Sequence, residues 1–237
     1  MTRTRPRASF RFALILFILA LASPSVNAAS QDSSSSSSSS PRPSTSRKSA
    51  NAVSLGAGSV SNGVYRDSFF GFACKIPAGW VLRTDEMNGR DVQSANEETG
   101  KSAKDSVNSG RVLLAAFSRP PQARGEDVNS SILIAAENAA AYPGLKDAAQ
   151  YLGPVTEIAE AQGFDVAEEP YEFEVGNRTL VRGDFEKDVG TRVMHQSTLV
   201  MLARGYAVSV TFIGGTGDEV EGLIGNLSFA PTTKPTK

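Results

Sequence analysis

The chain has 237 residues, of which 40% are apolar, 21% charged and 8% aromatic, with one cysteine and one histidine. That length holds one ordinary domain with tails. The composition excludes a disulfide framework within the chain, a thiolate zinc site and a histidine metal cluster, so no cofactor or metal is expected. The formal net charge of -1 hides an asymmetry, because Arg3, Arg5, Arg7 and Arg11 are the only charges in the first 28 residues and the remainder carries 20 basic against 25 acidic residues. Within 51–232 the balance is 15 basic against 24 acidic, which repels nucleic acid and anionic lipid alike.

After the arginines comes an uninterrupted apolar run of eleven residues, Phe12 to Ala22, followed by Ser23-Pro24-Ser25-Val26-Asn27-Ala28. A basic front, a short apolar core and small residues two apart form a secretory signal peptide over 1–28. Cleavage is expected between Ala28 and Ala29, with Val26 and Ala28 read by the peptidase. Eleven helical residues reach about half-way across a hydrocarbon core roughly 30 Å thick, so the mature chain is expected to carry no stable membrane span. The alternative is an uncleaved anchor. Residues 29–62, with eight consecutive serines from Ser33 to Ser40 and then Pro, Gly, Ala and Asn, bury almost no apolar surface and read as a disordered spacer.

The folded domain is expected over 63–231, with a disordered tail at 232–237. Phe70, Phe72, Cys74 and Ile76 repeat with period two, the pattern of a strand with one buried face, and Pro77 and Gly79 turn the chain into Trp80-Val81-Leu82. Trp80 is expected at the edge of the core, and Cys74 as a small buried hydrophobe. Residues 85–110 are polar and read as a long surface loop. The continuous apolar runs 111–117 and 131–137 suit strands covered on both faces. Leu145, Leu152, Val155 and Ala159 give a helical stripe from Leu145 to Gln162, either kinked or broken at Gly153-Pro154.

Four strands follow. Tyr171, Phe173 and Val175 alternate with Glu172 and Glu174, Gly176-Asn177 has hairpin chemistry, and Thr179, Val181, Gly183 and Phe185 alternate with Arg178, Arg182, Asp184 and Glu186. That alternation places acids of one strand opposite arginines of the next on an outer face. The run 192–203 reads as a central strand, and Arg204-Gly205 turns into Tyr206, Val208, Val210 and Phe212. Thr216-Gly217-Asp218-Glu219 has the spacing of a capping box before a last helix carrying Val220, Leu223 and Ile224, with Leu227 and Phe229 docking it. The class is α+β, a mostly antiparallel sheet flanked by helices.

No catalytic, cofactor or metal residue emerges from the motifs. His195 and Ser197 share a strand face, yet the Gly-x-Ser-x-Gly elbow is absent, so a hydrolase with an unorthodox site there is the alternative rather than the main reading. Glu168 with Glu169, and Glu172 with Glu174, read as solvated faces more than as acid–base pairs. Gly214-Gly215-Thr216-Gly217 lacks a P-loop lysine and reads as a capped turn more than as an anion cradle.

The opening Tyr65, Phe70-Gly71-Phe72 and Ile76-Pro77-Ala78-Gly79-Trp80, with the Arg204-Gly205-Tyr206 turn and the closing Leu227-Ser228-Phe229, resembles PsbP-like domains over about Tyr65 to Ala230. The resemblance implies an α/β/α sandwich around an antiparallel sheet, used in known members to bind proteins. With the export signal, it points to a non-enzymatic binding or accessory module of the cell envelope, periplasmic or extracellular. Its expected partner is another envelope protein. A domain tethered by an uncleaved N-terminus remains the further alternative.

Overall fold

The computed structural model describes residues 58–89, 110–120, 123 and 128–230. The signal peptide with its Ala28–Ala29 cleavage point, most of the spacer and the 232–237 tail lie outside the described residues. The fold begins before residue 63. Strand β1 (Ser59–Ser61), assigned above to the spacer, pairs antiparallel with β2 (Val64–Asp67) through Asn62-Gly63. Both turn residues are left-handed, at φ 50° and 70°, as a two-residue type I′ hairpin requires.

β3 (Phe72–Lys75) pairs with β2, and β11 (Leu227–Phe229) pairs with β3, giving a four-stranded sheet in the order β1-β2-β3-β11. Leu227 and Phe229 thus form an edge strand opposite Cys74 and Phe72 instead of merely docking the last helix. A second sheet holds β4 (Val81–Leu82), β5 (Gly110–Phe117), β6 (Ser131–Asn138), β7 (Asp165–Val175), β8 (Arg178–Val189), β9 (Arg192–Ala203) and β10 (Tyr206–Gly214). Its order is β4-β5-β6-β10-β9-β8-β7, with every neighbouring pair antiparallel. The last four strands are the meander that the alternation predicts, entering at the far edge and returning to lie beside β6.

Helix α1 (Ala148–Ala161) starts later than its apolar stripe suggests, because the Asp147 carboxylate caps it by accepting the Gln150 N–H at 2.9 Å. Pro154 lies inside this single helix. Tyr151, Leu152, Val155 and Ala159 pack with Phe185, Val200, Ala207 and Ile213. Helix α2 (Gly217–Ile224) instead sends Val220, Leu223 and Ile224 into a larger core with Leu180, Leu199, Val208, Phe212 and the aromatic residues of the small sheet. Neighbouring residues such as Leu199 and Val200 therefore feed different cores, which is why the central strands read as apolar on both faces.

The polar stretch 85–110 is not a loop throughout. Residues 84–89 are helical, and Met87, 3% exposed, packs with Val112, Phe117 and Leu133. One methionine among polar residues carries no periodicity, so nothing in the sequence marks the turn of helix; residues 90–109 lie outside the described residues. The architecture is α+β, built from antiparallel sheets and a few helices.

Candidate functional site

Strand register assembles the principal polar cluster. Arg182 of β8 lies opposite Tyr171 of β7, while Asp184 and Glu186 of β8 lie opposite Ser197 and His195 of β9. Residues two apart on a strand share a face, so these six side chains form one ladder. The acid–arginine pairs expected across the first hairpin do not form: Glu172 lies opposite Val181 and Glu174 opposite Thr179. Arg182 instead turns inward and is 7% exposed, because β8 has both faces covered and its inner guanidinium meets the Glu221 carboxylate of α2.

The guanidinium has three hydrogen-bonding partners and an aromatic ring beside it. Nε donates to Asp184 at 2.9 Å, Nη2 reaches Glu221 at 2.5 Å and Ser197 Oγ at 3.0 Å, and the Phe173 ring centroid lies 4.9 Å from Cζ. Burial alone lowers the pKa of such a group, but the hydrogen bonds and charges of Glu221 and Asp184 outweigh it and hold Arg182 above its ordinary value. The Tyr171 hydroxyl donates to Asp184 at 3.1 Å, and its pKa is pushed up to about 12 by loss of water and then by the Asp184 charge.

His195 and Ser197 do point to one face, as the strand spacing implies, but a different carboxylate takes each. His195 Nδ1 lies 3.2 Å from Glu186. The Ser197 hydroxyl donates to Asp184 and accepts from Arg182, and the residue is 2% exposed. A serine nucleophile needs a base that draws its proton and an opening for the substrate. Here the proton is given to a carboxylate that is itself neutralised by an arginine.

The other sequence candidates resolve locally. Thr216 caps α2 by accepting the Glu219 N–H at 3.1 Å, and the Glu219 carboxylate accepts from the Gly215 N–H at 2.8 Å and from Ser130 Oγ at 2.6 Å. The Gly215 amide thus already holds the chain's own Glu219 carboxylate, and the Glu219 amide is taken by the Thr216 hydroxyl. Glu168, Glu169, Glu172 and Glu174 are exposed on edge strand β7, which also carries Pro170; charge and proline on an edge discourage further strand pairing. Cys74 is fully buried, and burial pushes its thiol up to about 12. Trp80 is half-buried against the larger core. Among the described residues, no three His, Cys, Asp or Glu side chains are placed to hold a metal ion, and no helix is long and apolar enough to cross a membrane.

One ionisable group escaped the sequence reading. Glu137 closes the apolar run of β6 and is 5% exposed, in the same register row as Ala207 and Gly110. Burial raises its pKa to about 7, partly offset by a hydrogen bond from Tyr151 of α1. Its Oε2 is buried without a partner.

No protein-family model and no curated protein matches the chain. Among solved structures it is similar to cyanobacterial PsbP of Synechocystis sp. PCC 6803, at 16% identity over 77% of this chain and 98% of that one, with a TM-score of 0.41. It is also similar to LpqN, involved in cell envelope biogenesis of Mycobacterium tuberculosis, at 11% identity over 68% of this chain and 83% of that one, with a TM-score of 0.34. A Pseudomonas aeruginosa protein of unknown function shares 18% identity over 47% of this chain and 80% of its own length, again with a TM-score of 0.34.

Proposed function

We propose that the chain is an exported, non-enzymatic binding or accessory module of the cell envelope, a PsbP-like α/β/α sandwich carried on a serine-rich spacer. The observation that carries the reading is the commitment of the chemistry-bearing side chains to one another. Ser197, Asp184, Arg182 and Glu221 form a closed set of charge-assisted hydrogen bonds under α2, the arrangement of a structural clasp more than of a site awaiting substrate. The basic, apolar and small-residue segments of 1–28 support export, and the acidic balance of 51–232 favours a protein partner over nucleic acid.

Two experiments test this reading. Purified full chain is assayed against ester, glycoside and peptide substrates, and no turnover is expected. Turnover that disappears in His195→Ala or Ser197→Ala, with the fold intact by circular dichroism, overturns the non-enzymatic assignment. Intact mass of protein recovered from a secreting host tests export: a chain starting at Ala29 is expected, and full-length protein confined to the membrane fraction assigns the tethered form instead.

A further inference from the structure

Glu137 and Tyr151 close a loop of the chain. After Glu137 the chain leaves the sheet through a short 3-10 turn at Ala139–Ala141, and Tyr151 of α1 brings its hydroxyl back to the Glu137 carboxylate. From Ala139 to Tyr151 the only buried side chain is Tyr151 itself, at 4% exposed; Ala139, Tyr142, Leu145 and Ala148 are half-buried and the others exposed. The Tyr142 ring stands edge-on to Tyr151, with centroids 5.3 Å apart. Tyr151 is thus the main pin of this segment, and the pin rests on a carboxylate whose Oε2 is buried without a partner.

Just beyond the pin, α1 has a weak point. Pro154 offers no N–H to the Gln150 carbonyl, so the helix lacks one rung between its two halves. Gly153 has open space where a Cβ would stand, so no packing contact requires glycine there, and what it supplies is backbone freedom. The second half is anchored by itself: Val155 and Ala159 are buried, and Lys187 Nζ donates to the Gln162 carbonyl at 2.6 Å. Leu152 is buried beside the break, close to the axis about which the first half would swing, where displacement is smallest.

We propose that residues 139–152 form a lid hinged at Gly153-Pro154, shut while Glu137 is protonated and released when it ionises. Tyr151 is the titratable group that faces Glu137 from α1. In its register row β5 and β10 present Gly110 and Ala207, neither of which carries charge, and Arg111 lies on the opposite face of β5, near Tyr65. Lys146 and Asp147, the charges of the lid itself, are exposed. An ionised Glu137 therefore has one hydroxyl for its two oxygens and no cation, and the second oxygen is hydrated only if the lid lifts. Ala148 of the lid lines a groove of about 270 Å³ with Val181 and Leu202, so lifting widens that groove. This inference does not depend on the binding-module reading, and its failure leaves that reading untouched.

Native-state hydrogen exchange on the full chain at pH 5 and pH 8, read as protection factors so that the intrinsic pH dependence of exchange drops out, tests it. The amides of 150–153 should be at least about tenfold less protected than those of 157–162 and of β8 to β10, and insensitive to low urea, since a lid exposes little surface. A carboxylate of ordinary value 4.5 in the open form and about 7 in the closed one lowers their protection by up to about 70-fold from pH 5 to pH 8. Glu137→Gln should abolish that fall, and Gly153→Ala should keep it while raising protection at 150–153 about threefold or more. Should Glu137→Gln fail to fold by circular dichroism, Tyr151→Phe takes its place: loss of the hydroxyl makes the closed ionised form worse, so the fall with pH must grow. Exchange of 150–153 together with the strands in one urea-sensitive opening overturns the lid, whatever its pH dependence. So does a fall that is absent in the parent, survives Glu137→Gln or is unaltered in Tyr151→Phe, and so does unchanged protection in Gly153→Ala.

Discussion

Each side of the seven-stranded sheet buries an ionisable side chain among polar partners, and the two clusters are built in opposite ways. Under α2, Arg182 meets Asp184, Glu221, Ser197 and the Phe173 ring, so each charge has an answering group. Against α1, Glu137 has Tyr151 as a hydrogen-bond partner and one oxygen with none. A buried charge is tolerated when its partners are in place and costly when they are not. The first cluster therefore acts as a clasp between β8, β9 and α2, and the second as a titrating weak point between β6 and α1.

The largest expected effect comes from opening the clasp. Arg182→Ala leaves the partly buried Asp184 and the buried Ser197 without their cation and should cost about 3–5 kcal/mol, measured as the shift in a denaturant midpoint at constant slope. Arg182→Lys keeps the charge but loses the fork that serves Asp184 and Glu221 together, so its cost should be smaller but real. A loss below about 1 kcal/mol for the alanine variant would break the comparison, since Arg182 would then behave as an exposed ion pair does.

Next in size is the titration of Glu137. Between the ordinary carboxylate value of 4.5 and about 7, the folded chain keeps a proton that the unfolded chain has already released. Folding stability therefore falls as pH rises through that window and levels off above it, by up to about 3 kcal/mol in total. Glu137→Gln retains an acceptor for Tyr151 and cannot ionise. It should match the parent chain near pH 4.5, gain on it as the pH rises, and be the more stable protein above about pH 7. Melting temperatures of the two chains across pH 4 to 8 decide the matter; parallel curves would show that Glu137 ionises in the folded chain as readily as in the unfolded one.

The two clusters also differ from what the sequence could reveal. The long strands, the Gly176-Asn177 and Arg204-Gly205 turns and the Thr216–Glu219 cap follow from local rules, since period, turn residue and cap spacing act within a few positions. Arg182 could not be placed this way. The alternation of Thr179, Val181, Gly183 and Phe185 marks that set as the inner face only if a single face is covered. β8 is packed on both sides, Leu180 and Arg182 are buried, and the deciding partner, Glu221, belongs to a distant helix. Glu137 was hidden by its position at the end of an apolar run, where an acid looks like the strand's exit to solvent. Asn62-Gly63, in contrast, carried a legible hairpin signal that the Ser- and Gly-rich composition around it masked. The engagement of Ser197 by Asp184 was equally out of reach, because cross-strand register depends on the turn at 190–191 and on pairing along the whole of β9.

Trp80 tests the apolar part of the clasp's face without touching its charges. It is half-buried against the larger core, at the end of the Pro77–Gly79 turn, where the Trp80 N–H bonds the Pro77 carbonyl at 3.4 Å. Complete burial of such a side chain would make Trp80→Ala cost about 3–5 kcal/mol, so partial burial scales this to about 2. Its emission should be moderately blue-shifted and partly quenched by acrylamide. Full quenching together with an unchanged melting midpoint would remove Trp80 from the core and make its surface a contact site.

The smallest expected effect is at His195, one step along the ladder from Ser197. The same strand register that closes Ser197 inside the clasp puts His195 opposite Glu186, where the two side chains are 27% and 49% exposed and 3.2 Å apart. Water screens that pair and replaces it at little cost when it is broken, so His195→Ala should change stability by no more than about 0.5 kcal/mol. Ser197→Ala, two residues on, removes a buried hydroxyl that both gives and receives a hydrogen bond, and should cost about 1–3 kcal/mol. The ratio of the two losses thus locates the boundary of the clasp along β9, as measured by denaturant midpoints of the two single variants. Equal losses would mean that the clasp extends to His195 and Glu186, and that the ladder acts as one unit from Arg182 to its outer end.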